Sequence, residues 1–223
     1  GECLATVTAP TTTDNCAGTI TGTTTDPLTY TTQGTYTITW TFDDGNGNTS
    51  TQTQSVIVDD ITAPVPVISE LPVLTGGCLV TATAPTATDN CLGTLTATTS
   101  DPLTYTTQGT FSITWTYDDG NGNTISQTQT VVVDDNSAPV PTLSILPVVT
   151  GECSATVSVI PTATDNCTGT TFNGTTTDPL TYNTQGTYTI TWTYDDGNGN
   201  TITQIQTVIV DDVTAPDAPE VLA

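Results

Sequence analysis

Apolar and polar positions alternate with a period of two along Thr110-Phe111-Ser112-Ile113-Thr114-Trp115-Thr116-Tyr117. Phe111, Ile113, Trp115 and Tyr117 share one face and hydroxyl side chains take the other, which predicts a half-buried strand. The same phase recurs at Tyr36, Ile38, Trp40, Phe42 and at Tyr188, Ile190, Trp192, Tyr194, and these aromatics are the expected centres of small cores. A return strand is predicted over 124–133, with Val131 and Val133 on one face. Between the two lies Asp-Asp-Gly-Asn-Gly-Asn, whose glycines and asparagines tolerate positive φ and so predict a turn. Weaker extended signals lie at 78–84, 94–99 and from Leu103 to Tyr105. The segment 65–74 contains Pro66 and Pro72, so it is expected at a sheet edge, free to switch sheets. No stretch has a helical period. Six to eight short strands separated by turn signals predict an all-β fold, a β-sandwich.

The pattern occurs three times, with a period of about 75 residues. Cys3, Cys78 and Cys153 open corresponding blocks, followed by Cys16, Cys91 and Cys167. Asp-Pro-Leu begins at Asp26, Asp101 and Asp178, and Gln-Gly lies at 33–34, 108–109 and 185–186. Asp-Asp-Gly-Asn-Gly-Asn falls at 43–48, 118–123 and 195–200, and each block closes on Asp-Asp at 59–60, 134–135 and 211–212. The expected modules are 1–60, which lacks the strand corresponding to 61–75, then 61–135 and 136–212. Residues 213–223 form a linker or the first strand of a following module. Prolines at 64, 139 and 216 stiffen the connections, so the modules are expected to line up as a rod. The third copy has two single-residue insertions, one on each side of Cys167.

Composition adds two constraints. Threonine supplies 60 of the 223 residues; it is β-branched, favours extended backbone and tolerates water. The formal charge is -23 with no Lys, Arg or His. That excludes the phosphate contacts of nucleic-acid binding and attraction to anionic lipid, and it leaves the carboxylates to be neutralised by metal cations. Six evenly distributed cysteines predict disulfides formed outside a reducing cytosol, and the local pairs Cys3–Cys16, Cys78–Cys91 and Cys153–Cys167 are expected. Neither a leader nor a membrane span is recognisable, so an internal, secreted or cell-surface fragment is expected, with no direct membrane insertion.

Pro85-Thr86-Ala87-Thr88-Asp89-Asn90-Cys91, Gln108-Gly109-Thr110 and Trp115-Thr116-Tyr117-Asp118-Asp119-Gly120-Asn121-Gly122-Asn123 resemble the hyalin-repeat (HYR) family. The resemblance covers essentially the whole chain and departs in the doubled Asp and the extra Gly-Asn. It implies an immunoglobulin-like sandwich, and the Thr-rich, lysine-free form is similar to tandem repeats of bacterial (Bacteroidetes-type) surface adhesins or filament proteins. Adhesion or scaffolding is implied rather than catalysis.

Calcium is the expected ligand, because Ca²⁺ takes six to eight oxygens and this chain offers oxygen donors without histidine. Candidate ligands are Asp43, Asp44, Asn46 and Asn48, with their copies Asp118, Asp119, Asn121, Asn123 and Asp195, Asp196, Asn198, Asn200. The module-end pairs Asp59/Asp60, Asp134/Asp135 and Asp211/Asp212 form a second acidic set. The Thr-Asp-Asn segments at 13–15, 88–90 and 164–166 can add oxygens to either. The hexapeptide also reads as a solvated turn whose carboxylates cap backbone N–H groups. Paired carboxylates raise glycoside hydrolysis, but their repetition on small modules without a cleft argues against an enzyme.

The expected function is a structural stalk or filament-shaft segment of an extracellular adhesin, rigidified by disulfides and calcium. Its partners are neighbouring modules of the same protein, other copies in a filament, and a surface ligand that the sequence does not name. Two alternatives stay open. One is a ligand- or glycan-binding module presenting the insertion Thr171-Phe172-Asn173-Gly174. The other is a subunit that polymerises by strand complementation through 213–223.

Overall fold

The computed structural model describes residues 1–217, and the expectation placed on 213–223 lies outside the described residues from position 218 onward. Every regular element among the described residues is a β-strand. The first repeat contributes β1 (Ala5–Thr6), β2 (Thr11–Asp14), β3 (Gly18–Thr21), β4 (Thr29–Tyr30), β5 (Gly34–Asp43) and β6 (Thr49–Val58). The second contributes β7 (Val65–Pro66), β8 (Leu74–Gly76), β9 (Val80–Thr81), β10 (Thr86–Asp89), β11 (Gly93–Thr96), β12 (Thr104–Tyr105), β13 (Gly109–Asp118) and β14 (Thr124–Val133). The third contributes β15 (Val140–Pro141), β16 (Val149–Gly151), β17 (Ala155–Thr156), β18 (Thr162–Thr164), β19 (Thr171–Asn173), β20 (Thr181–Tyr182), β21 (Gly186–Asp195) and β22 (Thr201–Val210). The fold is a tandem array of small immunoglobulin-like β-sandwich repeats.

The chain divides into two compact units. One gathers Gly1–Val73, Ala82–Leu103 and Ser112–Thr130; the other gathers Leu74–Thr81, Thr104–Phe111 and the residues from Val131 on. In the first unit, β5 and β6 pair antiparallel from Gly34↔Val58 to Asp43↔Thr49. The period-two pattern puts Ile38, Trp40 and Phe42 inside against Val56, with Ile20, Tyr30 and Tyr36 packed around them. In the second unit, β21 pairs with β22 and β16 runs parallel along the other edge of β22. Ile190, Trp192, Tyr194, Val208 and Val210 form its core with Leu146, Ala155, Val157 and Ala163.

The proline-bearing segment 65–74 does switch sheets. β7 lies at the edge of the order β11-β10-β7, whereas β8 lies at the edge of β13-β14-β8. Edge positions tolerate a residue that cannot donate to a ladder. The all-β reading and the buried Trp40, Trp115 and Trp192 agree with the alternation in the sequence; these three side chains are at most 2% exposed. A buried indole needs an acceptor, which Gln54, Gln129 and Gln206 supply at 2.9, 3.0 and 3.0 Å. Gln206 then donates its amide to Pro147 O at 3.0 Å, fastening the edge segment to the sheet.

The long hairpin gives each repeat two poles. Ten residues of β5 at about 3.3 Å each separate Gly34 from Asp43 by roughly 30 Å. The module-end Asp59-Asp60 lies at the Gly34 pole, here called the tail. The Asp-Asp-Gly-Asn-Gly-Asn turn lies at the other, the head.

Candidate metal centres at the repeat joints

The residues before each first strand are held at the tail pole. Asp59 N–H donates to Gly1 O at 3.0 Å, while Gln33 donates to Glu2 O at 3.1 Å and accepts from Asp60 N–H at 2.8 Å. Gln108 makes the same clamp between Gly77 O and Asp135 N–H, and Gln185 between Glu152 O and Asp212 N–H. This is the role of the repeated Gln-Gly motif, which the sequence singled out without assigning. Cys3, Cys78 and Cys153 therefore sit at tails. Cys16, Cys91 and Cys167 sit at heads: each donates its N–H to Oδ1 of Asp14, Asp89 or Asp165, at 2.8, 2.8 and 2.9 Å. These aspartates lie by the hexapeptide turns, Asp14 lining a concavity with Asp44 and Asn48, Asp165 meeting Asp196, and Asp89 meeting Asp60, to which Asn123 donates.

Polarity overturns the expected local disulfide pairing. Cys3 and Cys16 lie at opposite poles of one repeat, and a disulfide needs Cα atoms within about 4.4–6.8 Å. The bonds formed are Cys3–Cys91 and Cys78–Cys167, with Cα separations of 4.9 and 4.8 Å. Each joins the tail of one repeat to the head of the next, and each lies inside one compact unit. Cys16 and Cys153 are exposed thiols. Thiol titration of the isolated native monomer is therefore expected to find two reactive cysteines, rising to six after reduction and unfolding. Three local pairs would give none in the native chain.

The staples bring carboxylates together. In the second unit Asp135, Asp165 and Asp196 are all buried, and one oxygen from each lies within 4.8 Å of the others. In the first unit Asp60 and Asp89 meet in the same way beside Cys91, whose sulfur is committed to the disulfide and is no thiolate donor. Asn123 links Asp119 to this pair, donating to Asp60 O at 3.0 Å and to Asp119 Oδ2 at 2.6 Å. Asn121 donates to Asp60 Oδ2 at 3.4 Å. Asn200 bridges Asp135 O and Asp196 Oδ2 at 2.9 and 2.8 Å.

The oxygens divide the work. Oδ1 of Asp60 and of Asp135 each accepts a backbone N–H two residues on, from Thr62 and Ser137. Oδ1 of Asp119 accepts from the backbone of Asn121 and Asn123, as Oδ1 of Asp196 does from Asn198 and Asn200. These are Asx-type turns, so the capping reading of the hexapeptide holds for one oxygen of each side chain. The other oxygens face the joint, and Asp89 Oδ2, Asp135 Oδ2 and Asp165 Oδ2 are buried with no hydrogen-bond donor. A buried carboxylate oxygen without a partner is costly.

Ionisation is favoured where the loops donate. Hydrogen bonds from Thr168 backbone and hydroxyl hold Asp165 below the usual carboxylate range against burial and the nearby Asp196 charge. Burial pushes Asp119 and Asp196 up, but donation from Asn123 and Asn200 and from the turn backbone outweighs it and leaves both lowered. Anionic carboxylates thus face one another in a chain with no basic side chain.

The structure brings together part of the residues singled out in the sequence. Asp60, Asp119, Asn121 and Asn123 meet at one joint, and Asp135, Asp196 and Asn200 at the other, with Asn198 contributing its backbone. Asp89 and Asp165, from the Thr-Asp-Asn segments, complete them. Asp43, Asp118 and Asp195 are exposed and cap the N–H of Gly45, Gly120 and Gly197 at 2.8 Å. Asp59, Asp134 and Asp211 are exposed and take part through their backbone N–H. Among the described residues, Asp44, Asn46, Asn48 and Asp212 lie at poles that no other repeat covers.

No protein-family model matches the chain, and no curated protein matches its sequence, so the hyalin-repeat resemblance rests on the motifs quoted above. Solved structures with some likeness include a mouse clustered protocadherin fragment, EC1-3, at 11% identity, covering 81% of this chain and 77% of that one, TM-score 0.27. A Ca²⁺-stabilised adhesin of an Antarctic bacterium that binds ice is 18% identical over 87% of this chain and 62% of that one, TM-score 0.27. An endo-fucoidan hydrolase is 15% identical over 95% of this chain and 39% of that one, TM-score 0.23. These scores are too low to carry functional meaning in either direction.

Proposed function

We propose that the chain is a segment of an extracellular stalk or adhesin shaft, in which each tail-to-head joint is closed by one disulfide and one calcium ion. The modules are 1–60, 61–135 and 136–212. The observation that carries this reading is the cluster of Asp135, Asp165 and Asp196: buried, within 4.8 Å, with two oxygens lacking any donor. Oxygen-only donors suit a hard cation, and carboxylates from turns suit calcium's tolerance of irregular geometry better than magnesium's demand for an octahedron. When bound, the ion supplies the positive charge that the chain lacks. The residues supply the rest: Gln33 and Gln108 align the tails, and the asparagine amides fix the carboxylates across the joint.

The two disulfides support an oxidising compartment outside the cytosol. The insertion in the third repeat does not favour the ligand-binding alternative, since Thr171, Phe172 and Asn173 are absorbed into β19, paired with Thr164, Ala163 and Thr162. Nor do the paired carboxylates favour catalysis, because they serve their own turns and the joint centre. Isothermal titration is expected to show two calcium ions per chain, with magnesium much weaker at equal concentration. An absence of heat and of any calcium-dependent change in melting would end the metal reading.

A further inference from the structure

The two internal joints define a pairing rule: the tail cysteine of one repeat bonds the head cysteine of the next. We propose that the head of the first repeat and the tail of the third are the two halves of a further joint of this kind. Offered a second copy of the chain, the two halves close on one another through a Cys153–Cys16 disulfide.

Both halves are already built. At the tail, Gln185 bridges Glu152 O and Asp212 N–H, and Thr214 Oγ1 reaches the Glu152 carboxylate at 2.8 and 2.9 Å. The internal tail at Glu2 has the same arrangement, with Thr62 Oγ1 at 3.0 Å from its carboxylate. There Glu2 goes on to accept from Asn90 of the following head at 2.8 Å. Asn15 occupies the Asn90 position in the first repeat and Glu152 occupies the Glu2 position in the third, so the same contact is available between copies.

At the head, Asp14 Oδ1 accepts from Cys16 and Ala17 N–H at 2.8 and 2.7 Å, presenting Cys16 on the loop that presents Cys91 and Cys167. Asp44 accepts from Asn46, Asn48 and the Asn48 amide, the arrangement of Asp119 and Asp196. What differs is cover. Asp14 and Asp44 are half-buried and Asp212 is exposed, whereas their internal counterparts Asp89, Asp119, Asp60 and Asp135 are buried. Asn46 turns its amide towards its own Asp44 O at 3.5 Å, where Asn121 reaches a carboxylate of the preceding tail. A concavity of about 230 Å³ is lined by Asp14, Phe42, Asp44 and Asn48. The exposed sulfurs are thus held by the same residues that hold bonded ones elsewhere in this chain. That recurrence, rather than their exposure, assigns the partner.

Closing the joint is an oxidation. The two thiols lose two protons and two electrons to a small disulfide such as oxidised glutathione, which leaves as two thiols while the Cys153–Cys16 bond forms. The carboxylate set Asp212, Asp14 and Asp44 is completed in the same act, forming the counterpart of the internal calcium centres. The staple itself does not depend on the metal reading.

Cys16→Ser and Cys153→Ser chains, each with one remaining free thiol, provide the test. Mixed in a glutathione redox buffer, they are expected to give one covalent heterodimer. Its yield should exceed symmetric dimers of either variant alone by at least about tenfold, because docking raises the effective thiol concentration. The parent chain gives a ladder. Since the chain offers no site to trypsin, Asp-N digestion and mass spectrometry identify the Cys153–Cys16 peptide. The mixture is run in calcium and in EGTA: a heterodimer in either condition supports the staple, even if titration shows no calcium binding. Monomers only in both conditions, symmetric dimers in equal yield, or a parent chain closed internally would overturn it.

Discussion

In EGTA the oxidised chain is expected to melt roughly 10 °C or more below its midpoint in calcium, because a ligand at a hundredfold its Kd stabilises by about 2.7 kcal/mol, worth several degrees per kcal/mol in units of this size. Asp165→Asn gives the sharper readout. Asparagine keeps the Oδ1 acceptor for Cys167 and Thr168, so the loop that Asp165 builds survives. It replaces the unpartnered Oδ2 with an amide that can donate to Asp135 or Asp196. The variant should bind calcium at that joint about a hundredfold more weakly, since charge count and ligand orientation set affinity. The order of stabilities should therefore invert: below the parent in calcium, above it in EGTA. A variant melting below the parent in both media would mean that Asp165 serves its loop alone.

Cys91→Ser should cost more than any surface change. Its disulfide spans 88 residues, and removing a cross-link over a loop of that length forfeits about 4.5 kcal/mol in a chain-entropy account. For a unit of about a hundred residues that corresponds to a fall of roughly 15 °C or more in melting temperature. Cys78–Cys167 remains in the other unit, so differential scanning calorimetry should show the transition split, the later part near its original position. The thiol set free should be Cys3, identified by alkylation and mass spectrometry, with Cys78 still bonded to Cys167. Release of Cys78 instead would restore local pairing, and an unchanged melt would leave the staple without a structural role.

How much of this could be read from the chain alone differs by element. Alternation at Ile38, Trp40 and Phe42, and at Ile190, Trp192 and Tyr194, fixes strand, face and core together, because side-chain direction in a strand follows directly from parity. Pro66 and Pro72 announced an edge for the same local reason: the missing N–H is a property of the residue itself. The acidic turn was visible as a turn and as a cation candidate; the turn is formed, one oxygen capping the loop, and the cation reading belongs to the proposal above.

The partners of those oxygens were not legible. Sequence proximity suggested Cys3 with Cys16 and Asp43 with Asp44, yet each of these pairs is separated by how a strand runs. About thirteen extended residues carry the chain from the tail at Cys3 to the head at Cys16, and successive aspartates point to opposite sides of the backbone. Gln33, Gln108 and Gln185 stood out only as a repeated motif with no assigned role, since nothing local reveals that one amide spans two segments. The sequence by itself determined the repeat, the alternation and the charge that demands a counterion, all of them short-range or summed properties. Only tertiary structure decided which carboxylates and sulfurs meet, because that depends on one repeat's tail lying against the next repeat's head, across nearly ninety residues of chain.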